Sequence, residues 1–158
     1  MAPYAPSMAR PVSVPDDLLV HLRRARDRID RDYADPIDLD LLAAEANVSK
    51  FHFLRCFAAT YGLTPARYLA ERRIERAQDL LRATNLTVTE VCLLVGYSSL
   101  GSFSSRFREL VGVTPSAYQA EFAARGAPPI PGCFVFMHGL SDRRTTPDRS
   151  RPTGPPTP

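Results

Sequence analysis

Tyr61–Arg72 reads YGLTPARYLAER, and Leu110–Phe122 reads LVGVTPSAYQAEF. Each carries Gly, one apolar residue, Thr-Pro, two residues and then Tyr. Gly62 pairs with Gly112, Thr64 with Thr114, Pro65 with Pro115 and Tyr68 with Tyr118, always 50 positions apart. Thr is a good N-cap, and Pro suits the first helical position because its missing N–H has no partner there anyway. A Gly two residues earlier is the usual close of a preceding helix. Each stretch is therefore the end of one helix and the start of the next, and the chain writes it twice.

Working outward, the same shift superposes Leu41 on Val91, Ala46 on Gly96, Ser49 on Ser99, Phe53 on Phe103 and Phe57 on Phe107. Each unit reads as a short helix, a tight turn and a longer helix, the signature of a helix-turn-helix. Gly96 lacks a Cβ and lets the chain turn sharply, with Ala46 expected as its small counterpart. The remaining punctuation gives about seven helices and an all-α fold. One runs from Pro15 until Asp35-Pro36 stops it, with Leu18, Leu19, Leu22, Ala25 and Ile29 at helical steps. The others span about Leu39–Ala46 (capped by Asp38), Lys50–Tyr61, Pro65–Arg82, Val88–Val95, Ser99–Val111 and Pro115–Ala124. The apolar side of the long fourth helix is expected from Ala66, Leu69, Ile74, Ala77, Leu80 and Leu81.

The expected organisation is a flexible arm over 1–14, a first helix-turn-helix subdomain over 15–64, a linker helix over 65–83 and a second subdomain over 84–125. An apolar Pro/Gly-rich extension over 126–140 and a disordered tail over 141–158 follow. Two copies are too few for a solenoid. A linker helix of roughly 25 Å, at 1.5 Å per residue, suits a reader of successive major-groove segments roughly 34 Å apart.

Net charge is only +3 and the pI about 9.0, but the charge is unevenly spread. Asp16–Ser49 holds five bases against nine acids, whereas Lys50–Arg125 holds ten bases against six acids. A basic section facing phosphates and an acidic one facing away fits that polarity. The N-terminus has no apolar core of a secretory signal, and no apolar run reaches the roughly 18 residues of a membrane span. Cys56, Cys92 and Cys133 have no metal-ligand spacing and fit reduced thiols in a cytoplasm. His21, His52 and His138 stand in unrelated contexts, and no nucleophile elbow, zinc-protease motif or phosphate-cradling Gly loop is present. The expectation is no enzyme, no cofactor and no metal site.

The pair of units, SKFHFLRCF (49–57), GYSSLGSFSSRF (96–107) and the closing GVTPSAY (112–118) resemble the DNA-binding domain of AraC/XylS-type bacterial transcriptional regulators. The resemblance covers about Asp16 to Ala124 and looks like a standalone, minimal member. It implies sequence-specific binding of double-stranded DNA, with the third and sixth helices entering adjacent major grooves. At 100° per residue Phe53 and Phe57 point inward, and Phe51 and Arg55 point away from them. The first reading surface is expected from Ser49, Lys50, Phe51, His52, Leu54 and Arg55, with Arg55 suited to guanine. The second is expected from Ser99, Leu100, Gly101, Ser102, Ser105 and Arg106. Ser105 stands where the first unit has Arg55, so the second helix is expected to hold phosphates and read shape. Arg72, Arg73 and Arg76 are expected to pair with Glu71, Glu75 and Asp79 along the linker. The rival reading is a helical protein-binding adaptor. RNA polymerase is a candidate partner, and the expected state is a monomer or weak dimer.

Overall fold

The computed structural model describes residues 13–126, and within them the regular structure is seven helices. They are α1 (Asp16–Arg31), α2 (Leu39–Glu45), α3 (Lys50–Tyr61), α4 (Pro65–Ala83), α5 (Val88–Leu94), α6 (Leu100–Val111) and α7 (Pro115–Ala123). Most of the arm, the 127–140 part of the extension with Cys133 and His138, and the tail lie outside the described residues.

Side-chain oxygens set most of the helix starts. Asp38 accepts from the Asp40 and Leu41 amides, Ser49 from His52, Thr64 from Arg67, Ser99 from Ser102 and Thr114 from Ala117. Thr87 and Glu90 form a reciprocal capping box on α5. Gly62 and Gly112 close α3 and α6 at φ +76° and +89°, the left-handed conformation that a β-carbon disfavours.

Two hydrophobic cores form, one on each side of the long helix. Phe53, Cys56 and Phe57 of α3 pack with Leu18, Leu22 and Ile29 of α1 and with Leu42 and Ala43 of α2. Phe103 and Phe107 of α6 pack with Val91, Cys92 and Val95 and with Ile74, Ala77 and Leu81 of α4. Helix α4 thus serves both units. The two buried phenyl pairs sit alike, with ring centroids 6.2 and 5.8 Å apart.

Three expectations are corrected. Ala66 is exposed, so the apolar side of α4 begins later, with Leu69 half-buried and Ile74 buried. Helix α1 ends at Arg31 rather than at Asp35-Pro36. Leaving the helix there carries Tyr33 onto the second core, and the Tyr33 and Asp35 carbonyls then bond to Arg73.

The third correction concerns the repeat. The long helices are in register at a shift of 50, but the short ones are in register at 49: Asp38 caps α2 and Thr87 caps α5. Val91 therefore matches buried Leu42 rather than exposed Leu41, and Val95 matches buried Ala46. The turn residue matching Gly96 (φ +91°) is Asn47 (φ +52°), not Ala46, whose φ of −84° is helical. Asn tolerates the left-handed conformation, which explains why the first unit turns without glycine. Val48 N–H bonds to Ala43 O and Tyr97 N–H to Cys92 O, so the two turns are the same structure. The second unit spends one extra residue, Ser98, before its long helix.

Candidate nucleic-acid interface

Helix α3 is positioned by its buried side: Phe53 and Phe57 anchor it, and Ser49 fixes where it starts. What remains outward follows from the helical period. Phe51 is 81% exposed, and Arg55 is exposed. His52 and Leu54 lie half-buried on the flanks. His52 Nε2 comes within 3.5 Å of Cys56 Sγ one turn on, so the imidazole leans along its own helix. Burial pushes the Cys56 thiol pKa up, partly offset by the charge of Arg55.

Helix α6 repeats the arrangement with a barer surface. Leu100, Gly101, Ser102 and Ser105 are exposed. A β-carbon on Gly101 would meet only Ser99 Oγ, at 3.7 Å, so nothing in the chain itself requires glycine there.

The cations divide into tied and untied. Lys50 Nζ lies 2.8 Å from Asp40 Oδ2, tying the start of α3 to the start of α2. Arg106 Nη1 lies 2.6 Å from Glu109 Oε2, and Arg67 of α4 reaches the other Glu109 oxygen at 3.1 Å. All of these pairs are exposed, so each contributes only about 0–1 kcal/mol and exchanges readily for a phosphate. Among the described residues Arg55 and Arg108 make no such pair. Arg108 is exposed and lies about 60° from Ser105 around α6, at 3.6 residues per turn, whereas half-buried Arg106 lies about 100° away on the flank. Arg106, the expected cation of this surface, thus lies on its flank, and Arg108 lies nearer its outward side.

The linker arginines divide too. Arg72 pairs with Glu75 and, from α1, Asp30, and Arg76 pairs with Asp79. Glu71 takes Arg67 instead. Arg73, expected to pair along the helix, has no carboxylate partner among the described ion pairs. It reaches across to the α1–α2 connection instead.

A family model described as a helix-turn-helix domain matches residues 42–121, just over half of the chain. The chain belongs to the AraC-type helix-turn-helix family. It is 39% identical over 83 residues to the MmsAB operon regulatory protein of Pseudomonas aeruginosa, a match covering 52% of this chain and 27% of that protein. A probable AraC family transcriptional regulator from Rhodopseudomonas palustris superposes with a TM-score of 0.60 at 28% identity, over 65% of this chain and 97% of that one. The DNA-binding domain of AdpA, solved in complex with a target DNA, superposes with a TM-score of 0.58 at 30% identity, over 71% of this chain and 97% of that one. The chain spans between 22% and 62% of the length of five of the curated relatives it matches, and 78% of the probable transcription factor PqrA of Proteus vulgaris. The AraC-type fold is a double helix-turn-helix, and the duplicated α2–α3 and α5–α6 pairs joined through α4 are that fold.

Among the described residues no group of three or more His, Cys, Asp or Glu is arranged to hold a metal ion. No described helix is long and apolar enough to cross a membrane.

Proposed function

We propose that this AraC-type chain is a sequence-specific DNA-binding transcriptional regulator whose α3 and α6 enter adjacent major grooves of one duplex. The observation that carries the reading is the exposure of Phe51 beside the untied Arg55, on a helix held rigid by buried Phe53 and Phe57. Leaving a phenyl in water forgoes the roughly 1.5–3 kcal/mol that burial would return, so an exposed phenyl on a well-anchored helix suits a partner surface. Phe51 fits thymine methyls or sugars, and Arg55 fits guanine O6 and N7.

Ser49 and Ser99 hold the helix starts and keep their hydroxyl protons for phosphate oxygens. Lys50 and Arg106 exchange their carboxylates for phosphate, and Arg108 adds an untied cation. Leu100, Gly101, Ser102 and Ser105 form a smooth second surface that reads groove shape more than base identity. His52 and Leu54 flank the first surface. The DNA-bound AdpA domain, with the same fold, supports this assignment. Cytoplasmic work on chromosomal DNA, by a monomer or weak dimer, goes with it.

The test is a salt titration of binding to a selected duplex and to a scrambled one. A DNA reader loses affinity steeply as salt rises, because phosphate contacts release counterions, and it prefers the selected duplex at every salt. Equal, weak binding to both duplexes refutes the reading and favours a protein-binding adaptor, whose partner stays bound at salt that strips DNA.

A further inference from the structure

Arg73 sits in the middle of α4, yet it joins the two units to each other. Its Nε donates to the Tyr33 carbonyl at 2.6 Å, and its Nη2 donates to the Asp35 carbonyl at 3.2 Å. Both acceptors belong to the α1–α2 connection of the first unit. The guanidinium carbon also lies 5.5 Å from the ring centroid of Tyr97, in the turn of the second unit. Next to Tyr97, Gly96 packs on the Ala34 backbone. The Tyr33 side chain packs against the second core. Residues 33 and 34 thus touch the second unit directly, and Arg73 holds the carbonyls of 33 and 35 to α4.

The chemistry of this clasp is selective. Burial disfavours the charge and pushes the Arg73 pKa down. No carboxylate forms an ion pair with it among the described residues, and the more distant charge of Asp35 offsets the burial only in part. The cation is held by two oriented carbonyls and an aromatic face, contacts that demand one geometry. An ion pair with a mobile carboxylate would tolerate many. Helix α4 sets how far apart the units lie. The clasp sets how far one is rotated about the helix axis relative to the other.

We infer that Arg73 is a specificity-determining positioning residue: by locking the rotation of the second reading helix against the first, it fixes the spacing between the two half-sites that one chain accepts. This rests on the DNA-reading assignment above. One inserted base pair turns a half-site by roughly 35° and moves it about 3.4 Å along the duplex. A clasped molecule cannot follow both changes and gives up one reader. An unclasped one can rotate.

The experiment uses the full chain and a duplex selected from random sequence, with its half-sites located by footprinting, plus duplexes carrying one base pair inserted or deleted between them. Wild type is expected to bind the altered duplexes at least tenfold more weakly. Arg73→Ala is expected to bind the parent duplex more weakly and to show a spacing penalty under threefold. A merely destabilised protein loses parent and altered duplexes in the same proportion, so the ratio isolates positioning from folding. Tyr97→Leu, which removes the ring face, provides the same reading if Arg73→Ala does not fold. A wild type with no preferred duplex overturns the DNA-reading assignment itself. A wild type that binds its duplex but tolerates the insertion overturns the inference alone. So does an undiminished penalty in the variants.

Discussion

Gly96 of the second turn lies on the backbone of Ala34 in the first unit: a β-carbon built on Gly96 would stand 2.8 Å from the Ala34 Cα and from its carbonyl carbon. The position therefore carries two demands, a φ of +91° and the absence of a side chain. Gly112 has a similar φ of +89° but open space around it.

The pair separates backbone strain from packing. Gly112→Ala is expected to cost about 1–2 kcal/mol, the strain of a left-handed non-glycine residue. Gly96→Ala is expected to cost at least about 1 kcal/mol more, because the Ala34 main chain has to move. Urea denaturation of both variants measures the difference. Equal losses mean that the contact between the units contributes nothing.

At Gly101 the opposite change is expected. The residue is exposed and unencumbered in the first turn of α6, where glycine costs less than the roughly 0.5–1 kcal/mol it costs relative to alanine in a helix interior. Gly101→Ala is expected to stabilise the fold by less than that amount and to weaken binding to the selected duplex, because a methyl intrudes where DNA approaches. Stabilisation with unchanged affinity removes Gly101 from the interface.

Arg55→Ala is expected to cost about 1–3 kcal/mol at the preferred site and to relax the preference at one base pair. Binding to arrays of single-base variants shows whether the loss is confined there. Uniform weakening on every sequence assigns Arg55 to phosphate instead.

Asp40→Asn frees Lys50 from an exposed pair. Stability is expected to change by less than about 1 kcal/mol, while affinity for DNA rises and its salt dependence steepens. An unchanged salt slope means that Lys50 never reaches a phosphate.

The capping box gives the pH prediction. Hydrogen bonds from the Thr87 amide and hydroxyl hold the Glu90 carboxyl below the usual carboxylate range. A depressed folded pKa contributes stability above the unfolded value, near 4.3, which is lost as pH falls through the folded value. Wild type is therefore expected to lose part of its margin over Glu90→Gln below about pH 4.3. Thermal midpoints of the two proteins between neutral pH and pH 3 check it; a constant gap excludes the capping carboxylate as the cause.

Most of the fold was legible because glycine, Thr-Pro and serine caps act locally, and each marks a helix end whatever surrounds it. The error in the repeat arose where identity of residue and identity of backbone diverge. Ala46 and Gly96 are both small and 50 apart, but Asn47 and Gly96 share the left-handed conformation. An extra Ser98 is invisible when the strongest matches, Phe53 to Phe103 and Phe57 to Phe107, all lie beyond it. The exposed faces of α3 and α6 were readable from helical period alone. The partners of their charges were not. Arg73 has no acid three or four positions away on its own helix, since Glu71 and Glu75 stand two residues off, and it bonds to carbonyls some 40 residues earlier; Glu109 is claimed by Arg67 42 residues away. Such choices depend on where separate helices dock.

The central claim is that one chain places two readers on one face of a duplex. Hydroxyl-radical footprinting at a measured ratio of one chain per duplex tests it most directly. The account predicts two protected patches about 10–10.5 base pairs apart on the same face. A single patch of one turn, or two patches half a turn apart on opposite faces, contradicts it.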